Sequence, residues 1–373
     1  MSKTFDVCIR GDGVVGRTLA LLLARERLRV ALVVRPEKPA GSNPVADVRA
    51  YALNNASRKV LETLRAWPDA AFATPVVEMQ VWGDGGGKVD FTARSAGQEA
   101  LAWIVDVPAL EQQLIQAVRY QPQIETVEAP AKAALTVICE GQKSASRDEF
   151  AQTRPVNWTV KPYPQKAIAA RLEMDKPHGG IARQWFTGSD ILALLPLSGA
   201  NGNLAALVWS VPVQRAGMLE KLPPEEFCSA LEAVCGLETG RLELTSERAS
   251  WQLSLSSAGH WVGPGWALAG DAAHTVHPLA GQGLNLGLAD AVCLAEVVSK
   301  REYWRGLGDE KLLRRYERAR KADVAAMGAV TDGLHGIFAQ TDERWQALRN
   351  WGMKGFERSG LLKGWLARQA AGL

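Results

Sequence analysis

The chain is poor in the residues that build metal and disulfide sites, with five cysteines and five histidines among 373 residues. Cys8, Cys139, Cys228, Cys235 and Cys293 form no Cys-x-x-Cys pair and have no histidine at metal-ligand spacing, so neither a zinc site nor a disulfide framework is expected. An excess of one charge is missing as well. Lys and Arg number 43 against 40 Asp and Glu, a net charge of +3, which is too small to suggest a nucleic-acid partner. No apolar run approaches the roughly 18–20 residues that span a bilayer, so any membrane contact is expected to be peripheral. Residues 1–4 lead straight into the strand-like FDVCI at 5–9, leaving no room for the charged and apolar regions of a signal peptide. A cytoplasmic location is therefore expected, with peripheral contact to the inner membrane as its extension. Internal repeats and low-complexity segments are absent too.

What is present is core-forming material: 47% hydrophobic residues and 13 tryptophans, enough for one large domain or two interleaved ones. Residues 5–9 read as an apolar strand, 11–16 as a glycine-rich turn, 17–27 as a helix and 30–34 as a second buried strand. This β-turn-α-β order opens a dinucleotide-binding domain of parallel strands covered by helices. A helix is expected at 54–66. A hairpin follows over 76–92, then a helix at 109–118 and a strand at 135–139 that returns to the first sheet. Strand signals at 167–173, 181–186, 191–196 and 204–209 suggest a second sheet that walls the substrate side. Further helices are read at 224–235, 283–299, 312–337 and 345–371, with a short strand at 266–269. The expected class is α/β. An FAD-binding Rossmann-like domain (1–75, 100–155 and 255–310) interleaves with a mainly antiparallel substrate domain (76–99 and 156–254), and a C-terminal helical region (311–373) follows.

The run GDGVVG places Gly11, Gly13 and Gly16 in G-x-G-x-x-G, between a strand and a helix as that motif requires. The first glycine makes the turn, the second lets backbone approach a pyrophosphate, and the third lets helix and strand pack closely. The helix N-terminus then faces the phosphates with free N–H groups. An acid that binds the adenosine ribose is expected at the end of the second strand, about 20 residues on. Val34 and Arg35 stand there instead, and the nearest acid is Glu37, beyond Pro36.

A second glycine cluster closes a buried strand in GDAAHTVHPLAGQGLN at 270–285. A carboxylate at a strand end can accept hydrogen bonds from a ribityl chain, and a helix N-terminus can oppose negative charge on a reduced flavin. With DVRAYAL at 47–53, Ser57, PH at 177–178, ALLPL at 193–197, VW at 208–209, YERAR at 316–320 and TD at 331–332, this segment resembles the ubiquinone-biosynthesis hydroxylase family of class A flavin monooxygenases, whose fold is that of para-hydroxybenzoate hydroxylase. The resemblance covers nearly the whole chain. It implies FAD as cofactor, NAD(P)H as reductant and transfer of one oxygen atom of O2 to the ring of a hydrophobic, polyprenylated phenol. It places Gly11, Gly13 and Gly16 at the pyrophosphate, Arg49 beside the phosphates and flavin, and Asp271 on the ribityl chain. Pro278, Gly281, Gly283, Leu284 and Asn285 would line the isoalloxazine. Partners among the ubiquinone-biosynthesis proteins are implied as well.

Three departures fall mostly on the adenosine and phosphate side. Val34 replaces the strand-end acid, Pro108 replaces an arginine before a helix, and Glu140 stands for the aspartate of an Asp-Gly motif before Ser144 and Arg147. The stretch between Leu114 and Leu135 is also shorter than the family pattern. Two other readings therefore stay open: a non-catalytic relative that acts as a scaffold or binding subunit, and a hydroxylase of a small soluble aromatic acid. No catalytic residue is assigned. His274 and His277 read as structural hydrogen-bonding groups, and His178 as a turn residue. Trp82, Trp103, Trp158, Trp185 and Trp209 serve either a substrate channel or sheet packing. The basic, apolar run at 345–373 serves either docking on the protein or contact with an anionic membrane.

Overall fold

The computed structural model describes residues 4–35, 47–83, 87–153, 156–236, 238–276 and 282–338, with 327–338 as backbone alone. In chain order the first half runs β1 (Phe5–Arg10), α1 (Val14–Arg25), β2 (Val30–Val33), β3 (Ala50–Leu53), α2 (Asn55–Thr63), β4 (Ala73–Val76), β5 (Glu78–Trp82), β6 (Lys88–Thr92), β7 (Ala102–Asp106), α3 (Val107–Arg119), β8 (Ile124–Val127), β9 (Ala133–Ile138) and α4 (Ala145–Thr153). The second half runs β10 (Trp158–Met174), β11 (Ile181–Thr187), β12 (Asp190–Leu197), β13 (Leu204–Pro212), α5 (Val213–Leu219), α6 (Pro224–Cys235), β14 (Leu242–Leu244), β15 (Ala249–Ala258), β16 (Val262–Gly263), β17 (Trp266–Leu268), β18 (His274–Thr275), α7 (Gln282–Ser299) and α8 (Glu310–Phe338).

The first sheet has the order β16-β17-β9-β1-β2-β8. Its pairings are parallel except for the β16–β17 hairpin. Parallel strands buried on both faces read as continuous apolar runs, and Val7, Cys8 and Ile9 of β1 are wholly buried. α1 presents Leu19, Ala20 and Leu23 to the same core, which also takes Leu288, Ala291 and Leu294 of α7. α8 straps the sheet: Tyr316 donates its hydroxyl to the Leu268 carbonyl at 2.8 Å, and Glu317 accepts from the Trp261 N–H at 2.8 Å.

The nine-stranded sheet, β18-β15-β10-β13-β12-β11-β5-β6 with β14 beside β10, is antiparallel apart from the β11–β5 pair. One face carries Ile168, Ala170, Leu194, Leu207 and Trp209 into a core shared with Phe227 and Leu231 of α6. Side chains alternate across a strand. The opposite face is therefore built from the cross-strand rows Ala169–Val208–Ala193 and Arg171–Ala206–Leu195.

The hairpin read over 76–92 forms as β5 paired antiparallel with β6 over 78–92, and its first strand is separated from β4 at Val77, whose N–H donates to the Gly180 carbonyl at 2.9 Å. β4 joins a small antiparallel sheet, β3-β7-β4, that the alternation pattern gave no sign of, while β5 and β6 enter the nine-stranded sheet. Alternation reports which side a residue faces and not which sheet its strand joins. The five tryptophans do not converge on one channel. Trp209 is wholly buried against Phe227, Trp82 and Trp185 stack at 4.8 Å, Trp103 meets Trp67 edge-on, and Trp158 lies under the Arg147 guanidinium at 3.8 Å. The run at 345–373 lies outside the described residues.

Candidate flavin site

The three glycines of the first turn do three different things. Gly11 has φ +115°, and a Cβ there would lie 2.5 Å from the Cys139 carbonyl carbon, so only glycine fits. A Cβ on Gly16 would lie 1.9 Å from the Gly11 carbonyl oxygen, which is how closely α1 sits on the turn. Gly13, the N-cap of α1, has nothing within 4 Å of such a Cβ. The backbone at Gly13 thus faces open space beside the free N–H groups of a 12-residue helix, a geometry that admits the close approach of a phosphate.

Across the cleft, β17 ends at Leu268, and Gly270 begins a single 3-10 turn that carries Asp271. A Cβ on Gly270 or on Gly287 of α7 would touch Val15 of α1 at 3.3 Å and 2.8 Å. These contacts bring the two glycine clusters together from opposite ends of the sequence. Asp271 is open to solvent, yet protein surrounds it closely enough for desolvation to push its carboxyl above the usual range. Asp290 adds to that rise, while His274 and Arg49 oppose it. Asp271 is thus a carboxylate that solvent reaches in crowded surroundings.

Arg49 reaches the same cleft from the segment before β3. It is paired with Asp47 at 2.5 Å, and its Nη1 donates to the Tyr51 hydroxyl at 3.2 Å. The bond to Asp47 raises the pKa of an already cationic guanidinium, so its charge is fixed. Burial pushes the Tyr51 phenol up, and Asp271 lies within electrostatic reach of it. Gly283 and Leu284 sit in the first turn of α7, Gly283 in open space and Leu284 half-buried against the core. Asn285 is buried, and its carboxamide is engaged by protein. Its Oδ1 accepts from the Asn54 N–H at 2.9 Å and the Ser57 hydroxyl at 2.7 Å, while its Nδ2 donates to the Ala52 carbonyl at 2.8 Å. It thereby fastens β3 and the start of α2 to α7. Pro278, Gly281 and His277 lie outside the described residues.

Beneath the Asp271 turn is a buried polar network that sequence reasoning left unassembled. Asp290 of α7 is wholly buried. Its carboxylate accepts from the Gly270 N–H at 2.9 Å and from Arg320 Nε of α8 at 2.8 Å, and pairs with His274 Nε2 at 2.7 Å. Burial alone would push this carboxyl up, but His274 and Arg320 hold it below its ordinary value. His274 is in turn stacked on Trp261 at 4.8 Å. The signal in the sequence was an acid in the apolar run of α7, which must be paired if it is buried. His178 has a turn role: its Nδ1 accepts from the Gly180 N–H and its Nε2 faces the Leu197 carbonyl at 2.9 Å.

The departures have local explanations. Val34 packs on the core, Pro108 occupies the first turn of α3, and Glu140 accepts from the Ser146 N–H and the Ser144 hydroxyl, both at 2.9 Å, at the start of α4. The Glu140 carboxylate therefore holds its own loop. Arg10 bonds to Ser146 and Glu149 beside it.

Comparison with known proteins agrees with this geometry. Residues 92–331 match the family model described as FAD binding domain. The chain is 30% identical to a protein named ubiquinone hydroxylase UbiL from Rhodospirillum rubrum, over 99% of this chain and 90% of that one. It is also 30% identical to the 3-demethoxyubiquinol 3-hydroxylase of Escherichia coli, over 99% of this chain and 98% of that one. Among solved structures, PqsL of Pseudomonas aeruginosa, titled a probable FAD-dependent monooxygenase, superposes with a TM-score of 0.76 over 95% of this chain and 100% of its own. At 21% identity that likeness speaks for the fold alone. The matched family model and the two full-length relatives establish that the chain belongs to the FAD-binding-domain family, among the class A flavin monooxygenases that include the ubiquinone hydroxylases.

Proposed function

We propose that the protein is an FAD-dependent monooxygenase that hydroxylates the ring of a hydrophobic, polyprenylated phenol in ubiquinone biosynthesis, with NAD(P)H as reductant. The observation that carries this reading is the open Gly13 turn brought together with the solvent-facing Asp271 through the contacts of Gly270 and Gly287 with Val15. On the face of the nine-stranded sheet away from α6, Arg171 hydrogen-bonds the Asp47 carbonyl at 3.4 Å, and Asp47 holds Arg49. The next row on the face is Ala169–Val208–Ala193, which offers an aromatic ring dispersion and exclusion of water. Bound FAD, held by Gly11, Gly13, Gly16 and Asp271, would supply the redox chemistry that links NAD(P)H and O2 to hydroxylation of the ring, with water as the other product.

The chain's own residues bind and orient. Gly11, Gly13 and Gly16 form the pyrophosphate turn, Asp271 takes the ribityl hydroxyls, and Arg49 sets a positive charge near the phosphates and the ring. Gly283 and Leu284 border the isoalloxazine. Asn285 contributes by fixing the helix that carries them. The reading as a hydroxylase of small aromatic acids has less support, because Arg171 is already neutralised by Asp106 at 2.6 Å. Among the described residues no helix is long and apolar enough to cross a membrane. Peripheral contact with a membrane is the route by which a polyprenylated substrate would be reached.

The test is a visible absorption spectrum of the purified protein, followed by NAD(P)H oxidation and product mass with a prenylphenol or a soluble aromatic acid. A flavin band and a product heavier by one oxygen with the prenylphenol are expected. Absence of the band with no uptake of added FAD would replace the enzyme reading with that of a scaffold. Turnover with the soluble acid alone would move the substrate class.

A further inference from the structure

In this fold the adenosine ribose is read by a carboxylate at the end of the second strand. Here that strand ends in Val33, Val34 packs on the core, and Arg35 follows. A ribose hydroxyl that loses its water needs an acceptor, since an unmade hydrogen bond costs more than a formed one gains. The glycine turn supplies a carboxylate of its own. Asp12 stands between Gly11 and Gly13 with its side chain only 14% exposed, although an acid at that point faces the site of two phosphates. Two guanidiniums hold it: Arg17 of α1 at 3.2 Å on Oδ2 and Arg35 at 3.3 Å on Oδ1.

The second of these contacts gives the direction. Arg35 is 81% exposed, so its own packing does not fix it, yet it folds back from the end of β2 onto Asp12. Asp12 therefore lies toward the end of β2, the side on which the ribose is read. One acid and two bases leave the turn with a net positive charge, which offsets the repulsion between a carboxylate and a pyrophosphate. A carboxylate has about four acceptor positions, so oxygens that each hold one arginine can still take hydroxyl donors.

We propose that Asp12, held by Arg17 and Arg35, is the acceptor for the adenosine-ribose hydroxyls of FAD, so that the recognition acid has moved from the strand end into the glycine turn. The inference rests on the assignment of FAD to this cleft, and its test separates the two. Flavin-stripped wild type, Asp12→Ala, Arg35→Ala and Glu37→Gln are titrated with FAD and with FMN, which has the flavin end but no adenosine, and followed by flavin fluorescence. Asp12→Ala is expected to weaken FAD by about tenfold, the worth of one lost hydrogen bond to a charged acceptor, and to leave FMN unchanged. Arg35→Ala should weaken FAD in the same selective way, by less. At saturation the absorption band of FAD bound to Asp12→Ala should keep its wild-type shape, since the flavin end is untouched. Unchanged or tighter FAD binding in Asp12→Ala overturns the inference, as does an equal loss for FAD and FMN. An adenosine-selective loss in Glu37→Gln without one in Asp12→Ala gives the role to Glu37. Failure of the wild type to take up FAD at all overturns the proposed function and this inference together.

Discussion

Replacing Asp290 with asparagine keeps the shape of the side chain and removes its charge at the centre of the buried network. Arg320, whose side chain is 7% exposed, then loses the buried one of its two carboxylate partners and keeps only the exposed Asp323, while His274 and the Gly270 N–H face a weaker acceptor. Breaking a buried ion pair by removing one partner costs about 3–5 kcal/mol when the other charge is left without compensation, and the remaining pair with Asp323 puts the loss here at the lower end of that range. Against a total stability of about 5–15 kcal/mol, that is a substantial part of what holds the fold. The assay is urea unfolding followed by tryptophan fluorescence. With a slope of about 3 kcal/mol per molar, the midpoint should fall by about 1 M or more with the slope unchanged. The double variant Asp290→Leu/Arg320→Met should lose less than Asp290→Asn, because it leaves no buried guanidinium and the Asp323 it frees is exposed. The pH dependence follows from the depressed pKa of Asp290. A carboxyl whose folded pKa lies below its unfolded value of about 3.9 contributes fully above that pH, and its contribution is lost as pH falls through the folded value. The wild-type and Asp290→Asn stability curves should therefore converge below about pH 4. A loss under about 1 kcal/mol at neutral pH, or a gap between the curves that persists in acid, refutes the assignment of the stabilisation to this carboxylate.

Two further perturbations separate packing from binding. Gly16→Ala puts a Cβ where only 1.9 Å is free, so thermal melting should show a loss of about 2 kcal/mol or more, whereas Gly13→Ala has open space and should melt like the wild type. Gly13→Ala should instead weaken FAD by about tenfold, because the added methyl stands where backbone meets pyrophosphate. Equal effects of the two variants on melting would contradict this division. Asn285→Ala strands the Ser57 hydroxyl, the Asn54 N–H and the Ala52 carbonyl, and should cost about 2–4 kcal/mol in urea unfolding. A loss below about 0.5 kcal/mol would mean that water replaces the carboxamide.

The parallel β1–α1–β2 unit was legible because its signals are local: an apolar run, three glycines within six residues and an amphipathic helix. The cluster at 270–285 was legible for the same reason, and the resemblance carried by it agrees with the family to which the chain belongs. Other features were not. A strand that breaks at Val77 and feeds two sheets has the same alternating pattern as one that does not. The five tryptophans carry no mark in the sequence of whether they line a channel or a core, and the structure spreads them over separate packing sites.

The sequence by itself determined where the backbone must turn and approach closely, because a positive φ or a missing Cβ is a property of one residue and its neighbours. The tertiary structure decided which polar groups meet. Asn285 finds Asn54 across 231 residues, Asp290 finds Arg320 on a different helix, and Arg35 reaches Asp12 across a turn of the sheet. Burial makes such pairings obligatory, since a buried polar group without a partner is costly, but it does not say in advance which partner the fold will bring.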